Sequence, residues 1–135
     1  MGWIDDGSSL LDPYMYDFGP DGLYGTGDDS GEIRIDSAPG NQNAPDVYGN
    51  RIAWSSYEAG GGGSYDIYMY NLGPDGLYGT GDDIGKTDIT PFPRGQVGAH
   101  IYGNSVIWAD DRNQMNQADE IYMHDLSTGT ETKIY

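Results

Sequence analysis

The stretch Gly19-Pro20-Asp21-Gly22-Leu23-Tyr24-Gly25-Thr26-Gly27-Asp28-Asp29 returns unchanged at Gly73–Asp83, 54 positions later. The same offset carries Tyr14 onto Tyr68 and Tyr122, Gln42 onto Gln96, Tyr48-Gly49-Asn50 onto Tyr102-Gly103-Asn104, and Trp54 onto Trp108. A period of this length marks stacked supersecondary units, none of which buries its apolar face alone. Fold and function therefore follow from one unit and from the way units join.

The middle unit is the most complete. Asp46-Val47-Tyr48 is a short extended segment closed by Gly49-Asn50, a pair that takes up the positive φ angles of a tight hairpin. Arg51–Trp54 follows as a second strand, and the run from Tyr57 to Ser64, with four successive glycines at Gly60–Gly63, is expected to be irregular. Tyr65–Tyr70 alternates as a third strand, the Gly/Asp stretch loops out, and Lys86–Thr90 forms a fourth before Pro91–Gly98 leads onward. Four antiparallel strands joined by hairpins describe one blade of a β-propeller. The third unit repeats the plan, except that Asp125–Thr130 turns directly into Glu131–Ile134, so the long loop is dispensable to a blade. An optional loop kept identical in two places has either a role of its own or a recent duplication behind it.

Tyr102–Asn113, Tyr-Gly-Asn-Ser-Val-Ile-Trp-Ala-Asp-Asp-Arg-Asn, followed by Asp119–Gly129, resembles the repeat of TolB-like β-propellers of archaeal and bacterial cell-surface proteins. The resemblance covers nearly the whole chain. It implies propeller architecture and a place among adhesion, surface-layer and protein-docking modules, and it points to no particular ligand. The middle unit departs from the pattern, with Ser55-Ser56-Tyr57 where the third has Ala109-Asp110-Asp111, and with Gly60–Gly63 in place of a polar loop.

Blades are expected over 1–36, 45–90 and 99–135, in one repeat domain spanning 1–135. The first opens on Trp3-Ile4-Asp5, the match of a second strand, continues through Tyr14–Tyr16 and Ile33–Ile35, and so lacks a first strand. Propellers close with roughly four to eight blades, and an open fan leaves unpaired edges and aromatic faces bare. Three completions stand open: copies closing a ring of about six blades, copies joined head to tail into a filament, or a segment of a longer propeller. A blade-to-blade contact of ~1,600 Å² is standard for a specific interface. The net charge of −16 opposes it, so salt or bound cations are expected to control assembly.

That charge, from 22 acidic and 6 basic residues, leaves no basic stripe for a nucleic-acid backbone. An anionic membrane surface repels the chain too, and no apolar run approaches the ~20 residues of a spanning helix, so membrane insertion is not expected. With 22 glycines and an apolar fraction rich in Tyr (12 residues) and Trp (3), the chain reads as all-β. The absence of Cys excludes disulfides and thiolate metal sites. An acidic shell attracts cations and also keeps a secreted or cell-surface protein soluble.

The repeated loop concentrates hard oxygen donors. Asp21, Thr26, Asp28 and Asp29 in the first copy, and Asp75, Thr80, Asp82 and Asp83 in the second, suit Ca²⁺, which takes about six to eight oxygens in loose geometry. The competing reading is a solvated acidic turn. Ordering eleven residues costs on the order of 10 kcal/mol and millimolar binding supplies about 4, so the hairpin must hold most of the loop in place beforehand.

No catalytic constellation emerges. Ser64 lies in a Gly-rich stretch without the Gly-x-Ser-x-Gly pattern, His100 and His124 recur in no unit-specific set, and carboxylates are too abundant for any pair to stand out. Tyr14, Tyr16, Tyr68, Tyr70 and Tyr122 read as core between blades, and Asp110–Asn113 as a blade-to-blade ion cluster. The chain thus reads as a non-enzymatic, secreted or cell-surface module whose partner is itself, with Ca²⁺ in its loops. The alternative is an adhesion domain for a glycan, a peptide or a surface protein, cut from a larger propeller.

Overall fold

The computed structural model describes residues 2–5, 11–57, 63–92, 94–113 and 120–135. Among them there is no helix, and the strands form three antiparallel sheets. The first holds β1 (Gly2–Asp5), β2 (Asp12–Asp17) and β3 (Gly31–Arg34). The second holds β4 (Gln42–Tyr48), β5 (Arg51–Tyr57), β6 (Tyr65–Asn71) and β7 (Gly85–Asp88). The third holds β8 (Gln96–Tyr102), β9 (Ser105–Asp110), β10 (Glu120–Asp125) and β11 (Thr130–Lys133). Each is a meander in which neighbours in sequence pair. One register unites them: Trp3 faces Tyr14, Trp54 faces Tyr68, and Trp108 faces Tyr122. β1 therefore takes the place of β5 and β9, and the first sheet has three strands where the others have four.

Two strands start earlier than expected. β4 and β8 begin at Gln42 and Gln96, ahead of Asp46 and Ala99, because each crosses a register shift, between Asn43 and Asp46 and between Val97 and His100. Ala44 and Gly98, 54 positions apart, carry these shifts with φ of 51° and 71°. A bulge frees its residues from the ladder, so Pro45 loses no strand hydrogen bond there. β5 also runs on to Tyr57. Residues 58–62, with most of the glycine run, lie outside the described residues.

Alternation gives the middle sheet two apolar faces. On one, Ile52, Trp54, Tyr68 and Tyr70 pack against Met15, Ile33 and Ile35 of the first sheet. On the other, Ala53, Ile67 and Met69, with Ile89 just beyond β7, pack against Ile101, Val106, Trp108 and Tyr122 of the third. β4 lies on β1 and β2, and β8 lies across β4, β5 and β6. Ile52–Ser56 is consequently buried without a break. Polar clamps join the sheets: Lys86 Nζ reaches Asp36 (2.8 Å) over the Tyr68 ring, Arg51 donates to the Gly103 carbonyl (3.1 Å), and Asp46 accepts from the Ile101 N–H (3.0 Å). His100 sits 3.3 Å from that same Asp46, its repeat equivalent.

Trp54 and Trp108 are both fully buried, and each stacks on its partner tyrosine with ring centroids 6.3 Å apart. Their indole N–H groups differ. Trp108 Nε1 donates to Asp110 Oδ2 (3.0 Å), which also binds Arg112, and Arg112 bridges to Glu131 (2.6 Å) while lying over Tyr122 and Phe92. This network lies within the third sheet and the segment entering it, so it is not the blade-to-blade cluster expected. In the middle sheet Ser56 stands where Asp110 would, and Trp54 Nε1 has no partner among the described residues. Burial pushes the Asp110 carboxyl up, but Arg112 and Trp108 outweigh it and hold it below the ordinary 3.8. Its stabilisation is therefore complete above that value and is lost as pH falls below it. Trp108→Phe should cost about 2 kcal/mol more than Trp54→Phe in urea unfolding at neutral pH, because only the former strips a donor from a buried carboxylate. The gap should narrow in acid, and equal costs at neutral pH would contradict this view of the network.

Candidate functional site

The two identical loops leave β2 and β6 in the same way. Asp17 Oδ1 accepts the Gly19 N–H (2.9 Å) and Asn71 Oδ1 accepts the Gly73 N–H (3.0 Å). Gly19 and Gly73 then turn with φ of 69° and 76°, and a Cβ there would lie 2.2 Å from the Asp28 carbonyl oxygen and 2.3 Å from that of Asp82. Only glycine permits this closure, which brings the start and end of each loop together.

Side chains and backbone fold the loop on itself. Asp21 Oδ1 accepts the Leu23 N–H (2.7 Å), Asp28 Oδ2 the Asp21 N–H (3.2 Å), and Asp29 Oδ2 the Gly25 N–H (2.8 Å). At the centre, Thr26 Oγ1 lies 3.3 Å from Asp21, 2.7 Å from Asp28, 3.0 Å from Asp29 and 3.1 Å from the Leu23 carbonyl. A hydroxyl has one proton to give, so it satisfies one of these four acceptors at a time. One oxygen from each of Asp21, Asp28 and Asp29 falls within 4.8 Å of the others. The second loop repeats the bonds, with Thr80 Oγ1 3.3 Å from Asp75, 2.6 Å from Asp82, 3.3 Å from Asp83 and 3.4 Å from the Leu77 carbonyl. All eight expected residues are thus gathered into two equivalent clusters, although among the described residues only the first closes to within 4.8 Å.

A further contact was not foreseen. Tyr16 and Tyr70, one strand position before the loops, donate from their hydroxyls to Asp29 (3.0 Å) and Asp83 (2.8 Å), and rest on Tyr24 and Tyr78 with centroids 5.1 and 5.2 Å apart. The signal lay in the shared spacing of tyrosine and aspartate within the repeat. These bonds set the charge state. The Thr26 hydroxyl lowers Asp28, and Thr80 with the Asp75 N–H lowers Asp82. Burial pushes Asp29 up, but the Gly25 N–H, Thr26 and Tyr16 together leave it lowered. Tyr16 is raised by its bond to Asp29, and Tyr70 by burial and then Asp83. Asp28, Asp29 and Asp82 are therefore charged at neutral pH.

The outer faces of the end sheets form the second feature. Ile35, Ile89 and Ile134 hold one place in the register, each donating its N–H back across the strand to Pro13 (2.9 Å), Ile67 (2.8 Å) and Ile121 (2.7 Å). Ile35 and Ile89 are 6% and 7% exposed, whereas Ile134 is 56% exposed. Beside it, Ile107, Ile121 and Met123 occupy the places of Ala53, Ile67 and Met69 and are at least partly exposed where those are buried.

No protein-family model matches the sequence, and no curated protein matches it. Among the described residues no helix is long and apolar enough to cross a membrane.

In a carboxyl-detected NMR titration, Asp28, Asp29 and Asp82 should protonate below the ordinary 3.8. Because folding lowers these values, the loops' contribution to stability should hold above that range and fade as pH falls through it. Thr26→Val should return Asp28 towards 3.8, and an unmoved midpoint would refute the assigned cause.

Proposed function

We propose that the chain is a non-enzymatic structural module, a run of β-propeller blades at the cell surface or outside the cell, completed by other copies of itself. The observation that carries this reading is the set of equivalent isoleucines: two are buried under the next sheet, and Ile134 is 56% exposed. The middle sheet is the template for what is missing. An Ile/Met face is covered by a Trp/Tyr face at both internal junctions. The third sheet offers an Ile/Met face at Ile107, Ile121, Met123 and Ile134, and the first offers Tyr14 and Tyr16 on the side away from Met15. These two surfaces belong to one molecule and fit each other only between molecules. Such a heterologous contact gives a ring if its rotation closes and a filament if it does not. Each aliphatic side chain it buries contributes about 1.5–3 kcal/mol, enough in sum to work against the repulsion of like-charged copies.

Calcium supports the same role. Each loop offers carboxylate, hydroxyl and carbonyl oxygens, the hard donors this ion prefers, and the loop's own hydrogen bonds cover most of the ordering cost before an ion arrives. Neutralising both clusters also weakens repulsion between copies. A surface location rests on the resemblance to cell-surface propeller repeats.

Light scattering should give multiples of 14.7 kDa at micromolar protein in calcium, shifting towards the single-chain mass in chelator. Ile134→Asp should release monomer, and a wild-type chain of 14.7 kDa under every condition would overturn the self-assembly reading. Calcium at about ten times its Kd should add ~1.4 kcal/mol of stability per loop. An identical melt in chelator would remove the ion and leave the assembly reading in place.

A further inference from the structure

Two grooves open at the successive sheet junctions, and they are the same place in the repeat. The first, about 370 Å³, includes Asp17, Gly19, Gly49 and Asn50, and the second, about 530 Å³, includes Asn71, Gly73, Gly103 and Asn104, each residue 54 positions further on. Their charge differs. Asp17, Asp21 and Asp75 line the first, whereas the second has no carboxylate and Arg51 as its one charged side chain. In a chain with 22 acidic residues, such a carboxylate-free lining is the exception. The exchange of Asp17 for Asn71 removes charge alone, since both cap the following glycine N–H in the same way.

Tyr48 forms one wall. It is 41% exposed and leans on Tyr102, 78% exposed, with ring centroids 4.8 Å apart. Pro74 and Ile84 add apolar surface. The walls are braced: Asn50 Nδ2 donates to the Gly73 carbonyl (2.7 Å), and Arg51 donates to Asn104 Oδ1 (3.0 Å). We infer that this groove binds a neutral saccharide. A sugar hydroxyl both donates and accepts, and Asn50, Asn71 and Asn104 are amides that do the same, while the C–H face of a pyranose ring matches an exposed tyrosine. The volume lies within the range of roughly 300–1,000 Å³ usual for small-ligand sites. A wholly apolar ligand would meet none of the hydrogen-bonding capacity that the bracing bonds leave over on these amides, and the field of a chain carrying −16 repels an anionic one.

The probes are the methyl glycosides of glucose, galactose, mannose and N-acetylglucosamine, with methyl glucuronide as the charged comparison, read by saturation-transfer NMR on the wild-type chain. At least one neutral glycoside should receive transfer to its ring protons, and Tyr48→Ala should abolish it. Tyr102→Ala, at a mostly exposed position that folding tolerates, should weaken it. Ile134→Asp should leave it unchanged, which separates this site from the assembly face. No transfer to any neutral glycoside, transfer indifferent to both tyrosines, or stronger transfer to the glucuronide would each overturn the assignment.

Discussion

A β-sheet with apolar side chains on both faces needs a sheet on each side of it, and this requirement organises the whole molecule. The middle sheet meets it, with Ile52 and Trp54 turned one way and Ala53, Ile67 and Met69 the other. Among the described residues, each end sheet meets it on one side. Because the units are copies, the neighbour we propose for the third sheet has the form of the first sheet's outer face. In the assembly we propose, the stacking that stabilises a unit internally is the same interaction that would join molecules, as in other arrays built from repeats.

Electrostatics sets the opposing constraint. Sixteen net negative charges must be kept apart or neutralised when copies meet, and the densest carboxylate groups are in the two loops rather than in the sheet faces. Sheet faces are left free to pack, and in the role we propose the loops are where a cation would act. Two buried carboxylates are matched by cations: Asp110 is held by Arg112 and the Trp108 indole, and Asp36 by Lys86. The middle sheet does without such a network, since Ser56 replaces Asp110, and its cost is the Trp54 N–H, unpartnered among the described residues.

Much of this was legible in the sequence, because repetition multiplies weak signals. The recurring Trp and Tyr marked the equivalent strands, the Tyr-Gly-Asn turns the hairpins, and the missing first strand the three-stranded sheet. Other features were hidden for identifiable reasons. The early starts of β4 and β8 depend on bulges at Ala44 and Gly98, which arise from cross-strand pairing while the local sequence reads as a break. Tyr16 and Tyr70 read as core residues, and their hydroxyl bonds to Asp29 and Asp83 depend on how the loop curls back. The carboxylate-free groove is assembled from two units, so no single stretch of sequence contains it.

Complementarity of the outer faces can be trapped directly, because the chain has no cysteine of its own. Chains carrying Met123→Cys are mixed with chains carrying Tyr14→Cys under mild oxidation, and disulfide formation is compared with that of each variant alone. Far faster cross-linking in the mixture than in either pure sample is the predicted result. Equal rates in all three would contradict the claim that these two faces meet.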